Sequence, residues 1–200
     1  MLFLLKTDVD KAYEILSKDG LIAFPTETVY GLGILATSSR NYQRLVEVKK
    51  RTPDKPFTLM FSKIEQVEKY LQISLLARNI IKEFMPGALT LILKAAENVP
   101  YFLDLGTGFI GIRMSDDPFV LELIDRLDQP LLVPSANIST FPPALNEGEV
   151  YNYFQESIDA IIIGAGKSNI PSTVLKIDGD HLTILREGSI TLKEIMEVTK

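Results

Sequence analysis

Short apolar runs alternate with amphipathic segments along the whole chain. Eight runs read as strands: residues 21–24, 56–61, 89–94, 110–114, 130–133, 160–163, 173–177 and 182–185. Each is rich in β-branched or other apolar residues and is bounded by Gly, Pro or Asn. Between them, apolar residues recur at helical spacing. Residues 9–17 predict a helix that ends before Gly20. Ser38 or Ser39 predicts an N-cap for a helix running to about residue 50, with Tyr42, Leu45 and Val46 facing inward and Pro53 stopping it. Further helices are predicted near 64–71, 75–84, 118–127, 147–156 and 192–198. The runs 173–177 and 182–185 are joined by Asp178-Gly179-Asp180-His181, which predicts a hairpin turn. Interleaved strands and helices predict an α/β fold, a mixed sheet with helices packed on it and some antiparallel pairing. Nothing in the sequence reads as an internal repeat, a low-complexity stretch or a Gly/Ser linker, so residues 1–200 are expected to form one domain.

Composition narrows the chemistry. The chain has no cysteine and one histidine, His181. Disulfides, thiolate nucleophiles, cysteine-ligated zinc and multi-histidine metal sites are excluded, so no resident metal is expected. His181 falls in the predicted hairpin turn and reads as a surface residue, which leaves an acyl-transfer triad without a base. The net charge of −5 gives no support to broad phosphate-backbone binding, yet a local basic patch can still hold a nucleotide. The apolar start Met1-Leu2-Phe3-Leu4-Leu5 stops at Lys6, too short for a signal-peptide core. No run approaches the length of a membrane span, and a cytoplasmic protein without membrane contact is expected.

Four segments carry polar groups suited to a ligand, each with a plainer structural reading beside it. Pro25-Thr26-Glu27-Thr28-Val29-Tyr30-Gly31-Leu32-Gly33 follows a buried strand. If extended, it projects the Thr26 and Thr28 hydroxyls to one face; it reads equally as a polar turn. Lys49, Lys50 and Arg51 close a helix, where cations complement the dipole without any ligand. Lys55 adds a further cation to that turn, which in an acidic protein points to an anion. Pro134-Ser135-Ala136-Asn137 places a hydroxyl and an amide at a strand end, as an N-cap or Asx turn also would. Ser172 opens one strand and Arg186 ends another, both ordinary taken singly. Together these groups suit chemistry that rests on positioning and cations, as in phosphoryl or nucleotidyl transfer.

One motif is a decoy. Gly106-Thr107-Gly108-Phe109-Ile110-Gly111 matches the dinucleotide fingerprint G-x-G-x-x-G, which requires a strand before it and a helix starting within it. Here the residues that follow read as a strand displaying Arg113, so the Rossmann reading is rejected.

In order, Pro25-Thr26-Glu27-Thr28-Val29-Tyr30-Gly31-Leu32-Gly33, Lys49-x-Arg51-x-x-x-Lys55-Pro56, Pro86-Gly87-x-x-Thr90, Gly111-Ile112-Arg113, Ser135-Ala136-Asn137, Ser172-Thr173-Val174 and Arg186-x-Gly188 resemble the YrdC-like threonylcarbamoyl-AMP synthase family. The match spans nearly the whole chain, and the length resembles its single-domain members. The resemblance implies an open, twisted mixed sheet with surrounding helices and a concave cationic cavity. It implies a nucleotidyltransferase that joins L-threonine, bicarbonate and ATP, with Mg2+ on the ATP, into L-threonylcarbamoyladenylate and pyrophosphate. Separate proteins would then transfer the threonylcarbamoyl group to tRNA, and direct contact with tRNA or RNA stays open. By position, Lys49 and Arg51 would be catalytic. Arg51, Lys55, Asn137 and Arg186 would bind ATP, and Thr26, Thr28, Arg113, Ser135 and Ser172 would bind threonine. The sequence departs from the family in three places. Ser-Ala-Asn is commonly followed by x-Ser-Gly, whereas Thr140-Phe141-Pro142-Pro143 follows Ser139 here; Thr52 separates Arg51 from Pro53; and Met60 stands where many members carry a threonine. The alternative these departures leave open is a protein of this fold that binds RNA or a nucleotide without making the adenylate.

Overall fold

The computed structural model describes residues 1–52, 55–166, 168 and 170–198. Its strands are β1 (Leu2–Leu4), β2 (Ile22–Pro25), β3 (Tyr30–Leu35), β4 (Leu59–Met60), β5 (Leu89–Lys94), β6 (Phe109–Arg113), β7 (Leu131–Leu132), β8 (Ala160–Ile162), β9 (Thr173–Asp178) and β10 (His181–Arg186). Its helices are α1 (Val9–Ser17), α2 (Ser39–Lys49), α3 (Glu65–Glu68), α4 (Leu75–Phe84), α5 (Tyr101–Asp104), α6 (Pro118–Leu127), α7 (Glu147–Phe154) and α8 (Leu192–Val198).

Helix ends follow local capping chemistry. Ser38 Oγ accepts from Asn41 N at the start of α2, and Ser74 Oγ accepts from Ala77 N at the start of α4. Asp117 caps α6, with Pro118 in its first turn, where the missing N–H costs nothing. Pro53, the predicted stop for α2, lies outside the described residues; α2 ends at Lys49, with Lys50 in the left-handed conformation.

The strands form one open mixed sheet in the order β1-β8-β2-β3-β7-β4-β6-β5-β9-β10. Period-2 alternation sorts its two faces. On one face, Leu59, Leu91, Leu93, Ile110, Ile112 and Leu175 pack with Leu45 of α2, Ile80 of α4, Phe154 of α7 and Ile195 of α8. On the other, Ile22, Phe24, Leu131 and Ile162 lie beneath Leu16 of α1 and Leu123 of α6. Those two helices cover only half of that face. The register pairs Met60 with Arg113, Ile92 with Gly111 and Thr90 with Val174, and these residues line a cavity, with Met60 at its border with the cluster beneath α1 and α6.

Several expectations change. Strands β1 and β3 and the short α5 were not anticipated. The run 56–61 pairs only at β4, and 64–71 yields only the single turn α3. The segment from Thr26 to Val29 is not extended: it is the loop of a β2–β3 hairpin whose last pair is Pro25 with Tyr30. The β9–β10 hairpin forms as expected, but His181 lies in β10, paired with Asp178, rather than in the turn. Phe109 begins β6, so no helix starts inside the glycine motif.

Candidate functional site

The uncovered half-face, together with the loops at its strand ends, encloses a cavity of about 720 Å³. A recess of about 320 Å³ adjoins it and shares Arg51, Lys55 and Ser135 with it. Of the ten residues expected at the site, Thr26, Thr28, Arg51, Lys55, Arg113, Ser135, Ser172 and Arg186 line the cavity, and Lys49 and Asn137 line the recess.

The β2–β3 loop closes through its own hydroxyl. Thr26 Oγ1 donates to Val29 O at 2.7 Å, accepts from Thr28 N at 3.1 Å and lies 3.2 Å from Thr28 Oγ1. A hydroxyl has one proton and two lone pairs, so these contacts saturate Thr26. Thr28 Oγ1 gives its proton to Thr26 Oγ1, accepts from Arg113 Nη2 at 2.7 Å and keeps one lone pair for a ligand.

A second knot shapes the recess. Lys49 Nζ donates to Ser135 O at 2.5 Å, Asn137 O at 2.8 Å and Asn137 Oδ1 at 3.1 Å. Asn137 Oδ1 also accepts from Ser135 Oγ at 2.6 Å, while Nδ2 donates to Ile138 O at 3.0 Å and Phe141 O at 2.7 Å. Both side chains therefore direct their polar atoms at the loop itself and set its shape. Burial, and secondarily the Arg51 charge, push Lys49 down to about 7.

At the far end, Arg186 Nε and Nη2 donate to Ser172 O at 3.0 and 2.9 Å, and Nη2 to Ser172 Oγ at 3.1 Å. Ser172 Oγ lies 2.9 Å from Thr90 Oγ1. Gly188 permits this crossing: a Cβ there would sit 2.2 Å from Pro171 O. Burial, and then the positive charge of Arg113, lower Arg186 from its usual value. An anion between the two guanidiniums would relieve that repulsion. Arg51 stacks over Phe57, 4.9 Å from the ring centroid, and its Nη2 donates to Lys55 O at 3.1 Å.

Sequence reasoning missed Glu27, Thr90, Lys176, Phe57 and Thr58. All but Glu27 line the cavity. Thr90 and Lys176 share the alternating face of β5 and β9, a period-2 signal readable from the strands alone. Glu27 lies behind Arg113 and pairs with it. The described lining holds five cations, Arg51, Lys55, Arg113, Lys176 and Arg186, and no Asp or Glu.

The Sua5/YciO/YrdC family model, described as telomere recombination, matches residues 14–188. A threonylcarbamoyl-AMP synthase of Pyrococcus abyssi (strain GE5 / Orsay) is 36% identical over 180 residues, covering 89% of this chain and 53% of that protein. A putative threonylcarbamoyl-AMP synthase of Methanocaldococcus jannaschii is 32% identical over 190 residues, covering 92% of this chain and 89% of that protein. The crystal structure of P. abyssi Sua5 complexed with L-threonine superposes with a TM-score of 0.91 at 32% identity, covering 98% of this chain and 60% of that one. The chain thus spans about half the length of the P. abyssi synthase.

Proposed function

The chain belongs to the Sua5/YciO/YrdC family, and we propose on that footing that it is a threonylcarbamoyl-AMP synthase. It would join L-threonine, bicarbonate and ATP into L-threonylcarbamoyladenylate and release pyrophosphate. The observation that carries this reading is one cavity in which five cations and the hydroxyls of Thr28, Ser135 and Ser172 converge without a carboxylate in the described lining.

The chemistry fits such a lining. Threonine's amine condenses with bicarbonate to give a carbamate: a C–N bond forms, a C–O bond of bicarbonate breaks, and the oxygen leaves as water with the amine proton. A carbamate oxygen attacks the α-phosphorus of ATP, the bond to the β-phosphate oxygen breaks, and pyrophosphate leaves. Negative charge builds on phosphate oxygens, where positioned cations act without reorganising. Arg51, Lys55 and Arg186 take that role, and magnesium arrives with the triphosphate as part of the substrate. Arg113, Thr28, Ser135 and Ser172 hold threonine by its carboxylate and hydroxyl. Thr26, Lys49 and Asn137 hold the loops that place these groups. No side-chain base is required.

This reading treats residues 1–200 as one functional unit in the cytoplasm. The adenylate is a mixed anhydride, which suits prompt consumption by tRNA threonylcarbamoyl-transfer proteins. Among the described residues no helix is long and apolar enough to cross a membrane. The test supplies purified protein with ATP, magnesium, bicarbonate and L-threonine. Threonine-dependent pyrophosphate release is expected, and its absence overturns the reading.

A further inference from the structure

Glu27 is the one carboxylate packed against the cavity wall from behind among the residues of the β2–β3 loop. Its side chain is 6% exposed, and that of Arg113 is 11% exposed. A carboxylate so buried needs partners on both oxygens. Oε1 accepts from Arg113 Nε at 3.1 Å and from Arg113 Nη2, and Oε2 accepts from Ser115 Oγ. Ser115 is fixed in turn, accepting from Asp117 N at 3.2 Å beside the start of α6. Burial pushes the Glu27 carboxyl up, but the Arg113 charge and the hydrogen bonds from Ser115 and Arg113 outweigh it. The group lies below its ordinary value and is ionised at neutral pH.

The pair fixes which face of Arg113 a ligand meets. A guanidinium has five N–H donors. Nε and one Nη2 hydrogen go to Glu27, and the second Nη2 hydrogen goes to Thr28 Oγ1. Both Nη1 hydrogens remain among the described residues, on a side chain that lines the cavity. Glu27 also offsets the charge of Arg113, which leaves a directional donor suited to a single carboxylate rather than surplus charge suited to a polyphosphate.

We infer that Glu27 is a positioning residue that aims Arg113 at the amino-acid carboxylate and keeps the nucleotide's phosphates out of that end of the cavity. The inference rests on the synthase reading. Its test compares wild type with Glu27→Gln by chromatographic assay of the adenylate product, varying threonine and ATP separately, with inorganic triphosphate as inhibitor. In the variant the threonine KM should rise about tenfold, the equivalent of one lost charge-assisted contact, with the ATP KM within about twofold. Triphosphate should become competitive with threonine as well as with ATP. A merely structural role would move both KM values together and would not change the inhibition pattern. Ser115→Ala, which removes only the Oε2 bond, should shift the threonine KM in the same direction by a smaller factor, and covers the case in which Glu27→Gln fails to fold. In an Arg113→Lys background, Glu27→Gln should have no further effect on threonine. A threonine KM unchanged in both Glu27→Gln and Ser115→Ala overturns this inference alone. A wild type without threonine-dependent product overturns it together with the synthase reading.

Discussion

Lys49 meets Asn137 across 88 residues of chain, its Nζ 2.8 Å from the Asn137 carbonyl and 3.1 Å from Oδ1. With Ser135 O at 2.5 Å, three oxygens face one nitrogen. An ammonium has three N–H to match them, and a neutral amine only two. The charge on Lys49 and the shape of the recess are thus coupled.

That coupling gives a pH dependence. Burial first, then the Arg51 charge, lowers Lys49 from 10.5 to about 7. Between those values the unfolded chain binds more protons than the folded one, so this group makes the fold more stable as pH rises through that window, and its cost is fully present below about 7. A bound polyphosphate favours the charged amine and reverses the bias. ATP binding at pH near 7.5 should therefore take up a fraction of a proton, read by calorimetry in two buffers of different ionisation enthalpy. Lys49→Arg, which stays charged, should remove the uptake. Equal uptake in the variant would identify another source.

Arg51 is held by a contact at either side, Phe57 under its plane and Lys55 O at its tip. Arg51→Ala should slow pyrophosphate release by about 10²–10³-fold, the usual loss for one positioned charge-stabilising donor. Melting followed by circular dichroism should move by only a few degrees, because the guanidinium is not part of the core. Full activity in this variant removes Arg51 from the mechanism.

Thr140 carries φ of 74°, left-handed backbone that a β-branched residue adopts at a cost. Relief of about 1–2 kcal/mol of strain, less the roughly 0.5–1 kcal/mol of extra chain entropy that glycine loses, leaves Thr140→Gly more stable by about 0.5–1 kcal/mol. The melting temperature should rise by about 1–4 °C for a chain of this size. A fall would show that the Thr140 side chain makes a stabilising contact that outweighs its backbone strain.

Gly188 behaves in the opposite way. A Cβ there would lie 2.2 Å from Pro171 O and 2.5 Å from Thr173 N, both backbone atoms that no rotamer can clear. Gly188→Ala should cost about 2 kcal/mol or more by strain. It should also loosen the Arg186–Ser172 pair and raise the KM for ATP or threonine. Wild-type melting and kinetics would mean that the β9–β10 end yields easily.

Much of this was legible in the chain. Helices α1, α4, α6 and α8 fall at their expected bounds because amphipathic spacing marks them, and side-chain caps from Ser74, Asp117 and Thr191 reinforce the last three. Strand β3 was hidden by its own glycines: Gly31 and Gly33 look like a loop, yet side chains there would strike Val133 and the Phe24 ring, 2.7 and 2.4 Å away. The Tyr-Gly-Leu-Gly pattern marks close packing rather than a turn. All ten site residues reached the cavity or its recess, but their roles were not readable from spacing. Whether Lys49, Thr26 and Asn137 face a ligand or their own loop depends on partners far away in sequence. Glu27 escaped notice because a carboxylate in a polar turn reads as solvated until its partner at residue 113 is known to lie behind the same wall.

The cavity floor and the hydrophobic core are two sides of the same strands. In β5, Thr90 and Ile92 look into the cavity while Leu89, Leu91 and Leu93 look into the core, and β9 alternates likewise with Val174 and Lys176 against Leu175 and Ile177. A slip of one residue in either strand would exchange the two sets outright. Recognition in this protein is therefore free to diverge by replacing side chains and reshaping loops, but it cannot drift by sliding a strand without dismantling the molecule beneath it.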